Sequence, residues 1–437
     1  MHEKKIACLH KRLKHTIMNI EHLGGELMNK KSQNQTELRR GTPDFQLLIL
    51  TVLLVGFGIV MVFSSSSSFV FGKLDAMYYT KRQILFACFG LIVMLIAMNI
   101  PYQKFKKLFA PFFILSIILL LIVPFAKSVN GASSWLKYGS FGVQPTEIAK
   151  ITTILYLAAL ISKKGERFRD LRTGYIPVMV IVGAVAGLIM AQPDLGSCFI
   201  LVATAGIIIF AGGANLKHIM ASIGLLILGA SIVLGAKTLW DKINPPEVVS
   251  SNYKIGRIQA YLDPWQDTHD TGYNLIQSLT SIGHGRLTGT GFGQGIQKLH
   301  YLRNSHTDFI FAVIGEEFGF IGTGLFILFY LYFIWRGILV SLRCPDAFGT
   351  LTGIGIMGLI AIQAFINIGG VTRTIPLTGV TLPFISSGGS SLVTMMFAMG
   401  IVLSISRVSQ VPVEKKKTKS VVVTEGRTSL PKITRIQ

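Results

Sequence analysis

Apolar runs separated by short polar connections recur along the chain from Phe45 to Ile405. As a helix, a run of roughly 18 or more apolar residues is long enough to cross the roughly 30 Å of hydrocarbon in a bilayer. The pattern therefore predicts an all-α polytopic membrane protein with about ten transmembrane helices. Their approximate bounds are 45–63, 83–100, 109–125, 146–161, 176–190, 197–211, 219–236, 309–335, 349–368 and 390–405.

The first apolar run is predicted to stay in the membrane as an anchor. It is too long for the core of a signal peptide, and no small-residue cleavage site follows it. Residues 1–44 before it are polar and basic without apolar periodicity, so they are predicted to be a disordered tail, within which Met28 is an alternative start. Residues 45–407 then form the membrane domain, and residues 408–437 form a second basic tail.

One connection is much longer than the others. Residues 238–307, between the seventh and eighth predicted spans, are polar and Gly-rich. Ordered loops of this length are usually functional. Order is indicated by the aromatic residues that the loop contains, among them Tyr261, Trp265, Tyr273, Phe292 and Tyr301. We expect this loop to be extracellular.

The formal net charge of +21 is concentrated in the tails and in alternate short connections. Lys and Arg residues accumulate in this way in cytoplasmic loops of membrane proteins, so both termini are predicted to be cytoplasmic. Basic segments beside a membrane bind anionic lipid, and this explains the charge better than nucleic-acid binding does. The expected location is the cytoplasmic membrane.

Several common kinds of functional site are not indicated. The four cysteines and nine histidines have no metal-ligand spacing, and the cysteines suggest no disulfide framework. The sequence from Gly289 to Gly293 resembles a phosphate loop only superficially, because no strand and helix are predicted to frame it. The serines from Ser386 to Ser391 lie between membrane spans with no base nearby in the sequence, so they are not a nucleophile elbow.

Ionisable residues at membrane depth are costly and are therefore candidates for function. Glu147 and Lys150 lie three residues apart at the start of the fourth span, so they share a helix face. They could form a buried ion pair that orients the helix, or they could lie beside a substrate. Glu316 and Glu317 occupy the eighth span.

Two aspartates stand at predicted helix starts. Asp194 follows a proline and precedes an apolar run, which is a good N-cap position. Asp308 opens the eighth span, where it could also be an N-cap. Thr307 could instead cap that helix and leave the Asp308 carboxylate available for catalysis, with His306, His300 and Arg303 nearby to hold an anionic ligand.

These residues belong to motifs that resemble, in order and spacing, the shape, elongation, division and sporulation (SEDS) family, represented by RodA, FtsW and SpoVE. The resemblance covers about residues 45–407. It is carried by Asn130-Gly131-Ala132 with Trp135, Gln144-Pro145-Thr146-Glu147 with Lys150, Gln192-Pro193-Asp194-Leu195-Gly196, Leu262-Asp263-Pro264, His306-Thr307-Asp308-Phe309, Glu316-Glu317 and Pro376-Leu377-Thr378-Gly379-Val380.

The resemblance implies ten helices and a peptidoglycan glycosyltransferase that polymerises lipid II, the undecaprenyl-pyrophosphate-linked disaccharide-pentapeptide. It also implies a class B penicillin-binding protein as the cross-linking partner and Asp308 as the catalytic carboxylate. The chain departs from the family at two places. Ser133 and Ser134 precede Trp135 where many members carry an arginine, and Ser386-Ser387 replaces a more usual Ser-Tyr pair.

The implied chemistry suits a single carboxylate. A sugar hydroxyl displaces the pyrophosphate with one inversion, and a carboxylate acting as general base can take its proton. Charge that develops on the pyrophosphate requires cations. The candidates are Lys150, Arg257, Arg286, Lys298 and Arg303, and a divalent ion could share the task. Two alternatives stay open at this point: a flippase that moves lipid II outward, and a scaffold that recruits the transpeptidase.

Overall fold

The structure is a computed structural model that describes residues 41–66, 77–125, 135–138, 141–243, 257, 260–266 and 271–409. The predictions for the two basic tails fall almost entirely outside these residues. The regular secondary structure of the described chain is helical apart from one small hairpin. Its helices are α1 (Phe45–Ser66), α2 (Tyr78–Asn99), α3 (Tyr102–Ile122), α4 (Pro145–Lys164), α5 (Ile176–Ala191), α6 (Leu195–Ala211), α7 (Leu216–Ile243), α8 (Thr271–Gly285), α9 (Ile310–Leu342), α10 (Ala347–Val371) and α11 (Gly389–Ser409).

The prediction of an all-α polytopic membrane protein is confirmed. Eight helical segments in the described part of the chain are long and apolar enough to cross a membrane, and Leu195–Ala211 and Leu216–Gly229 are shorter apolar helices. Each of the ten predicted spans lies within one of these ten segments or overlaps it closely. The number of actual crossings stays a prediction.

Several helices begin or end beyond the apolar run that predicted them. The third span was expected to begin at Phe109, but α3 begins at Tyr102 and includes three lysines in its first turns. Backbone hydrogen bonding continues past the apolar run because long basic side chains can direct their charged ends to the membrane surface. For the same reason, α9 extends through Arg336 to Leu342.

A two-stranded antiparallel hairpin precedes α4. Strand β1 (Leu136–Tyr138) pairs with β2 (Phe141–Val143), with Leu136 opposite Val143. The periodicity of apolar residues did not predict it, because three-residue strands are too short to show an alternating pattern. The hairpin directs the chain into α4.

The most enclosed helices of the bundle are α4, α10 and α11, whereas α3 exposes most of its surface. Glycines allow close helix contacts, as expected for helices in a bilayer. A Cβ atom at Gly400 of α11 would lie 2.6 Å from the Met94 carbonyl oxygen of α2, and one at Gly353 of α10 would lie 2.1 Å from Ser341 Oγ of α9. The core therefore depends on these small residues.

The two ends of the membrane domain meet on one side of the bundle. The Gly41 amide donates to the Arg407 carbonyl at 2.8 Å, and Arg407 Nε donates to the Gly41 carbonyl at 3.1 Å. Asp44 also accepts from Arg336 Nη2 at 2.6 Å, which joins α9 to the same end. The chain therefore enters and leaves the domain at the same face.

Candidate functional site

The Gly-rich turn after α8 packs into a break in α9. Gly319, inside α9, has a φ of 65° and interrupts the helical hydrogen bonding. The carbonyls of Arg286 and Leu287 accept from the amides after the break, Phe320 and Ile321. The amides of residues 290 and 291 donate to the carbonyls of residues 316 and 317 before the break. The Gly-rich segment is therefore a turn and not a phosphate loop, and its backbone groups complete the hydrogen bonding of a broken helix.

The two glutamates of α9 are buried and bonded to other segments. Glu316 Oε1 accepts from the Ile296 amide at 2.8 Å and lies 3.0 Å from His284 Nδ1. Glu317 Oε1 accepts from Lys298 Nζ at 2.6 Å and also from the Ser64 hydroxyl. These contacts fasten the turn to α8 and α1, which indicates a structural role for both carboxylates.

Lys298, a candidate ligand for pyrophosphate, is therefore placed in a buried ion pair. Its side chain is 2% exposed, and Nζ also donates to Ser64 Oγ at 2.8 Å. Arg286 is exposed. Arg303 is exposed as well, and its guanidinium lies 5.4 Å from the ring centroid of Tyr273.

Several of the motifs identified in the sequence meet at residues 376–390, which we call the hub segment. Arg257 Nη1 donates to the Thr378 carbonyl at 2.8 Å. A Cβ atom at Gly196, at the start of α6, would lie 2.9 Å from Val380. The Gln144 amide, before α4, donates to Ser390 Oγ at 3.4 Å. Segments distant in sequence thus converge on one irregular stretch of chain.

The turn that carries Asp308 is bonded to the hub segment through its main chain. Asn367 Nδ2 of α10 donates to the Asp308 carbonyl at 2.8 Å and to the Val380 carbonyl at 2.7 Å. Ser386 Oγ donates to the Thr307 carbonyl at 2.7 Å. One amide and one hydroxyl therefore hold the Asp308 backbone in place.

Neither Thr307 nor Asp308 caps α9. The N-cap residue is Phe309, with no side-chain cap hydrogen bond, and Thr307 Oγ1 donates to the Asn304 carbonyl at 3.2 Å. The expectation that one of the two would cap this helix was wrong, because the chain enters α9 through a compact turn whose own backbone bonds satisfy the Thr307 hydroxyl. The Asp308 carboxylate is consequently not engaged in capping the helix.

The Asp308 carboxylate is half-buried and accepts no hydrogen bond from any residue that the structure describes. The guanidinium of Arg257 lies near it but not within the 4.0 Å of a direct ion pair. Both groups approach Gly379, where a Cβ atom would lie 3.6 Å from Asp308 Oδ2 and 3.3 Å from Arg257 Nη2. Burial raises the pKa of the Asp308 carboxyl to about 7, and Arg257 opposes this rise.

His306 lies two residues before Asp308, with its ring centroid 4.3 Å from that of Tyr79. Burial lowers the pKa of the imidazole to about 4. The ring is therefore neutral at physiological pH and does not supply the positive charge for an anionic ligand that the sequence suggested.

Glu147 and Lys150 form the predicted ion pair, which is confirmed. Lys150 Nζ lies 2.7 Å from Glu147 Oε1, with side-chain exposures of 1% and 6%. Lys150 Nζ also donates to Gln363 Oε1 at 3.4 Å, and Gln363 Nε2 donates to the Thr381 carbonyl at 3.3 Å. Gln363 thus connects the ion pair to the hub segment through hydrogen bonds.

The remaining predicted residues take local positions. Asp194 accepts from the Ser197 amide at 2.9 Å, so its interpretation as the N-cap of α6 is confirmed. Asp263 accepts from the Trp265 amide at 3.1 Å within a tight turn. Trp135 is half-buried just before β1.

Sequence reasoning missed Gln363 and Asn367, and it named Gly379 only as part of a motif. The two amides lie four residues apart on one face of the apolar helix α10. Polar side chains inside a membrane helix are a recognisable signal, and this spacing could have identified them. No group of three or more metal-ligating side chains occurs among the residues that the structure describes.

Comparison with known proteins agrees with this arrangement. A family model described as cell cycle protein, covering FtsW, RodA and SpoVE, matches residues 45–411. Stage V sporulation protein E of Bacillus subtilis is 40% identical over 85% of this chain and 99% of its own length. The probable peptidoglycan glycosyltransferase FtsW of Geobacter metallireducens is 37% identical over 83% of this chain and 94% of its own length.

Solved structures show the same fold. A chain from a peptidoglycan synthase complex, studied for its coordination of polymerization and crosslinking, matches with a TM-score of 0.69 at 26% identity. The match covers 84% of this chain and 98% of that chain. The rod shape determining protein RodA of Thermus thermophilus matches with a TM-score of 0.60 at 25% identity, over 85% of this chain and 98% of that chain.

Proposed function

We propose, because the chain belongs to the FtsW, RodA and SpoVE family of cell cycle proteins, that it is a peptidoglycan glycosyltransferase that polymerises lipid II into glycan strands at the outer face of the cytoplasmic membrane. The observation that carries this proposal is the Asp308 carboxylate. The carboxylate is half-buried and accepts no hydrogen bond from the described residues. The backbone of the same residue is held in place by the hydrogen bond that Asn367 donates to the Asp308 carbonyl.

Asp308 is the general base in this proposal. The carboxylate takes the proton of the acceptor sugar hydroxyl while the hydroxyl oxygen bonds to the anomeric carbon of the donor. The bond from that carbon to the pyrophosphate oxygen breaks, and undecaprenyl pyrophosphate leaves with the electron pair. One displacement inverts the α-anomer to a β-1,4 linkage without a covalent enzyme intermediate. A positioned base of this kind contributes on the order of 100- to 10,000-fold to the rate.

The donor pyrophosphate requires positive charge from elsewhere. Among the cations considered, Lys298 is neutralised by Glu317, and Lys150 by Glu147. Arg303 and Arg286 are exposed and remain candidates for the donor. A divalent ion would have to be held by the substrate phosphates together with a single carboxylate, as hard cations commonly are at phosphoryl substrates.

The proposed orientation places both tails in the cytoplasm and the segment before α9 outside. The hydrogen bonds between Gly41 and Arg407 support a common side for the two tails. The concentration of basic residues at that side supports the cytoplasm.

A class B penicillin-binding protein would then cross-link the glycan outside. The resemblance to a chain of a peptidoglycan synthase complex supports this partner.

The buried charges support chemistry over transport. A flippase requires polar or charged groups along a path through the middle of the membrane. Among the described helices, Glu147, Glu316 and Glu317 instead contact partners within the protein. A scaffold without activity would not require a half-buried carboxylate with a raised pKa.

The test is polymerisation of labelled lipid II by purified protein, with and without its transpeptidase partner. Asp308→Asn keeps the shape of the side chain and removes the base. We expect this variant to insert and to bind its partner normally but to make almost no glycan product, since the backbone contacts of residue 308 do not involve its carboxylate.

The matched control is Asp170→Asn, at the opposite end of the bundle. Asp170 accepts from the Thr173 amide at 3.1 Å, and asparagine caps such turns about as well as aspartate. The control should polymerise lipid II like the wild type. Substantial activity of Asp308→Asn at matched protein level would defeat the assignment of the base, and an inactive wild type would defeat the proposed function.

A further inference from the structure

A gap separates the Asp308 carboxylate from the Arg257 guanidinium. The two groups are too far apart for a direct ion pair, yet both lie close to the position of a Cβ atom at Gly379, at 3.6 Å and 3.3 Å. An oxygen that accepts a hydrogen bond from one group and donates to the other, at about 2.7 to 3.0 Å each, bridges groups separated in this way. A single hydroxyl group is therefore a suitable bridge between the two charged groups.

The backbone around the gap is built to keep it open. Gly379 has a φ of 73°, a conformation that glycine adopts without strain, and it places no Cβ atom beside the two charged groups. Arg257 Nη1 is occupied by the Thr378 carbonyl at 2.8 Å, which orients the guanidinium. Its other terminal nitrogen, Nη2, lies nearer to the Cβ position at Gly379, at 3.3 Å against 3.9 Å for Nη1.

The opposite wall of the gap is held by separate contacts. Asn367 Nδ2 donates to the carbonyls of both Asp308 and Val380, so one side chain sets the distance between the base and the residue after Gly379. Asn367 is itself buried, at 4% exposure. The spacing of the two walls is therefore fixed by the protein before any ligand binds, and preorganisation of this kind favours catalysis.

We propose that the gap at Gly379 is the subsite for the acceptor sugar hydroxyl, with Arg257 as the residue that positions it against Asp308. The inference rests on the proposed function and assigns Arg257 to the acceptor, whereas the sequence suggested the donor pyrophosphate. The hydroxyl oxygen accepts from Arg257 Nη2 and donates its hydrogen to the Asp308 carboxylate. Its remaining lone pair attacks the anomeric carbon as that hydrogen passes to Asp308, and the pyrophosphate departs with the electrons of the broken bond.

The test fills the gap with a single methyl group. In Gly379→Ala the new Cβ contacts both charged groups and excludes the hydroxyl. The matched control is Gly213→Ala, because Gly213 has a similar φ of 81° and nothing lies within 4 Å of its Cβ position. Both substitutions place a Cβ atom on a residue with a similar positive φ, but only Gly379→Ala places it beside Asp308 and Arg257.

The measurement is the rate of glycan formation from labelled lipid II by full-length purified protein, with detergent-solubilised yield and thermal unfolding recorded for each variant. We expect Gly379→Ala to lose roughly a hundredfold relative to Gly213→Ala at equal thermal stability, as for a misplaced reactant. Equal rates for the two alanine variants, with an active wild type, would overturn the proposal. An inactive wild type would instead overturn the proposed function.

Arg257→Lys decides the question if Gly379→Ala does not fold. Lysine keeps the positive charge and can still reach the Thr378 carbonyl, but it lacks the second terminal nitrogen that faces the gap. We expect a loss of roughly a hundredfold in rate, as on removal of a preorganised donor. A wild-type rate for Arg257→Lys would overturn the proposal, because a positioning role for Nη2 would then be absent.

Discussion

Removal of one partner of the buried pair between Glu147 and Lys150 should destabilise the membrane domain strongly. The side chains are 6% and 1% exposed, and Glu147 Oε1 accepts from Lys150 Nζ at 2.7 Å. Glu147 Oε2 is buried without a hydrogen bond from any described residue. In Lys150→Ala the carboxylate therefore loses its cation, and no new hydrogen bond compensates for the loss. Stranding a buried charge in this way costs about 3 to 5 kcal/mol.

Such a cost lowers the ratio of folded to unfolded protein more than a hundredfold, since each factor of ten corresponds to about 1.4 kcal/mol. The hub segment should be affected as well, because Lys150 Nζ also contacts Gln363, which donates to the Thr381 carbonyl. We therefore expect Lys150→Ala to lower both membrane-inserted yield and polymerisation. The assay is the yield of folded protein after detergent extraction, followed by unfolding in a denaturant titration.

The control removes both charges together. The double variant with Glu147→Gln and Lys150→Met keeps the volume of both side chains and strands neither, and replacement of a buried pair by neutral groups is often nearly neutral for stability. It should be more stable than Lys150→Ala. Equal stability of the wild type, the single variant and the double variant would refute the reasoning, because the pair would then make no net contribution.

Two further predictions concern the base and the topology. Burial raises the pKa of Asp308 to about 7, and a general base must be ionised. The rate of polymerisation should therefore rise with pH through about 7, and at pH 6 it should be about a tenth of its maximum at high pH. His306, with a pKa of about 4, stays neutral over this range, so a rate independent of pH between 6 and 8 would contradict Asp308 as the base. In a chain without its native cysteines, Gln266→Cys should react in intact cells with an impermeant thiol reagent, whereas Ser420→Cys should not. Reaction of Ser420→Cys would reverse the proposed orientation.

The sequence alone determined the features that depend on neighbouring residues. Apolar run length predicted the helical segments, because a bilayer requires about 20 apolar residues in each crossing helix. A separation of three residues predicted the contact between Glu147 and Lys150, since a helix places such positions on one face. The N-cap role of Asp194 followed in the same way from its place just before an apolar run.

The tertiary structure decided which distant residues form the site. No local sequence pattern predicts that Arg257 lies near Asp308 or that Lys298 forms an ion pair with Glu317. The two bonds that Asn367 donates join residues 59 and 13 positions away. In a membrane helix, the face toward lipid is as apolar as the face toward the protein, so hydrophobicity does not indicate which face packs inward. Only the packing of α10 against α4 and the hub segment places its two amides close to the Asp308 turn and brings the separate motifs together at the proposed catalytic site.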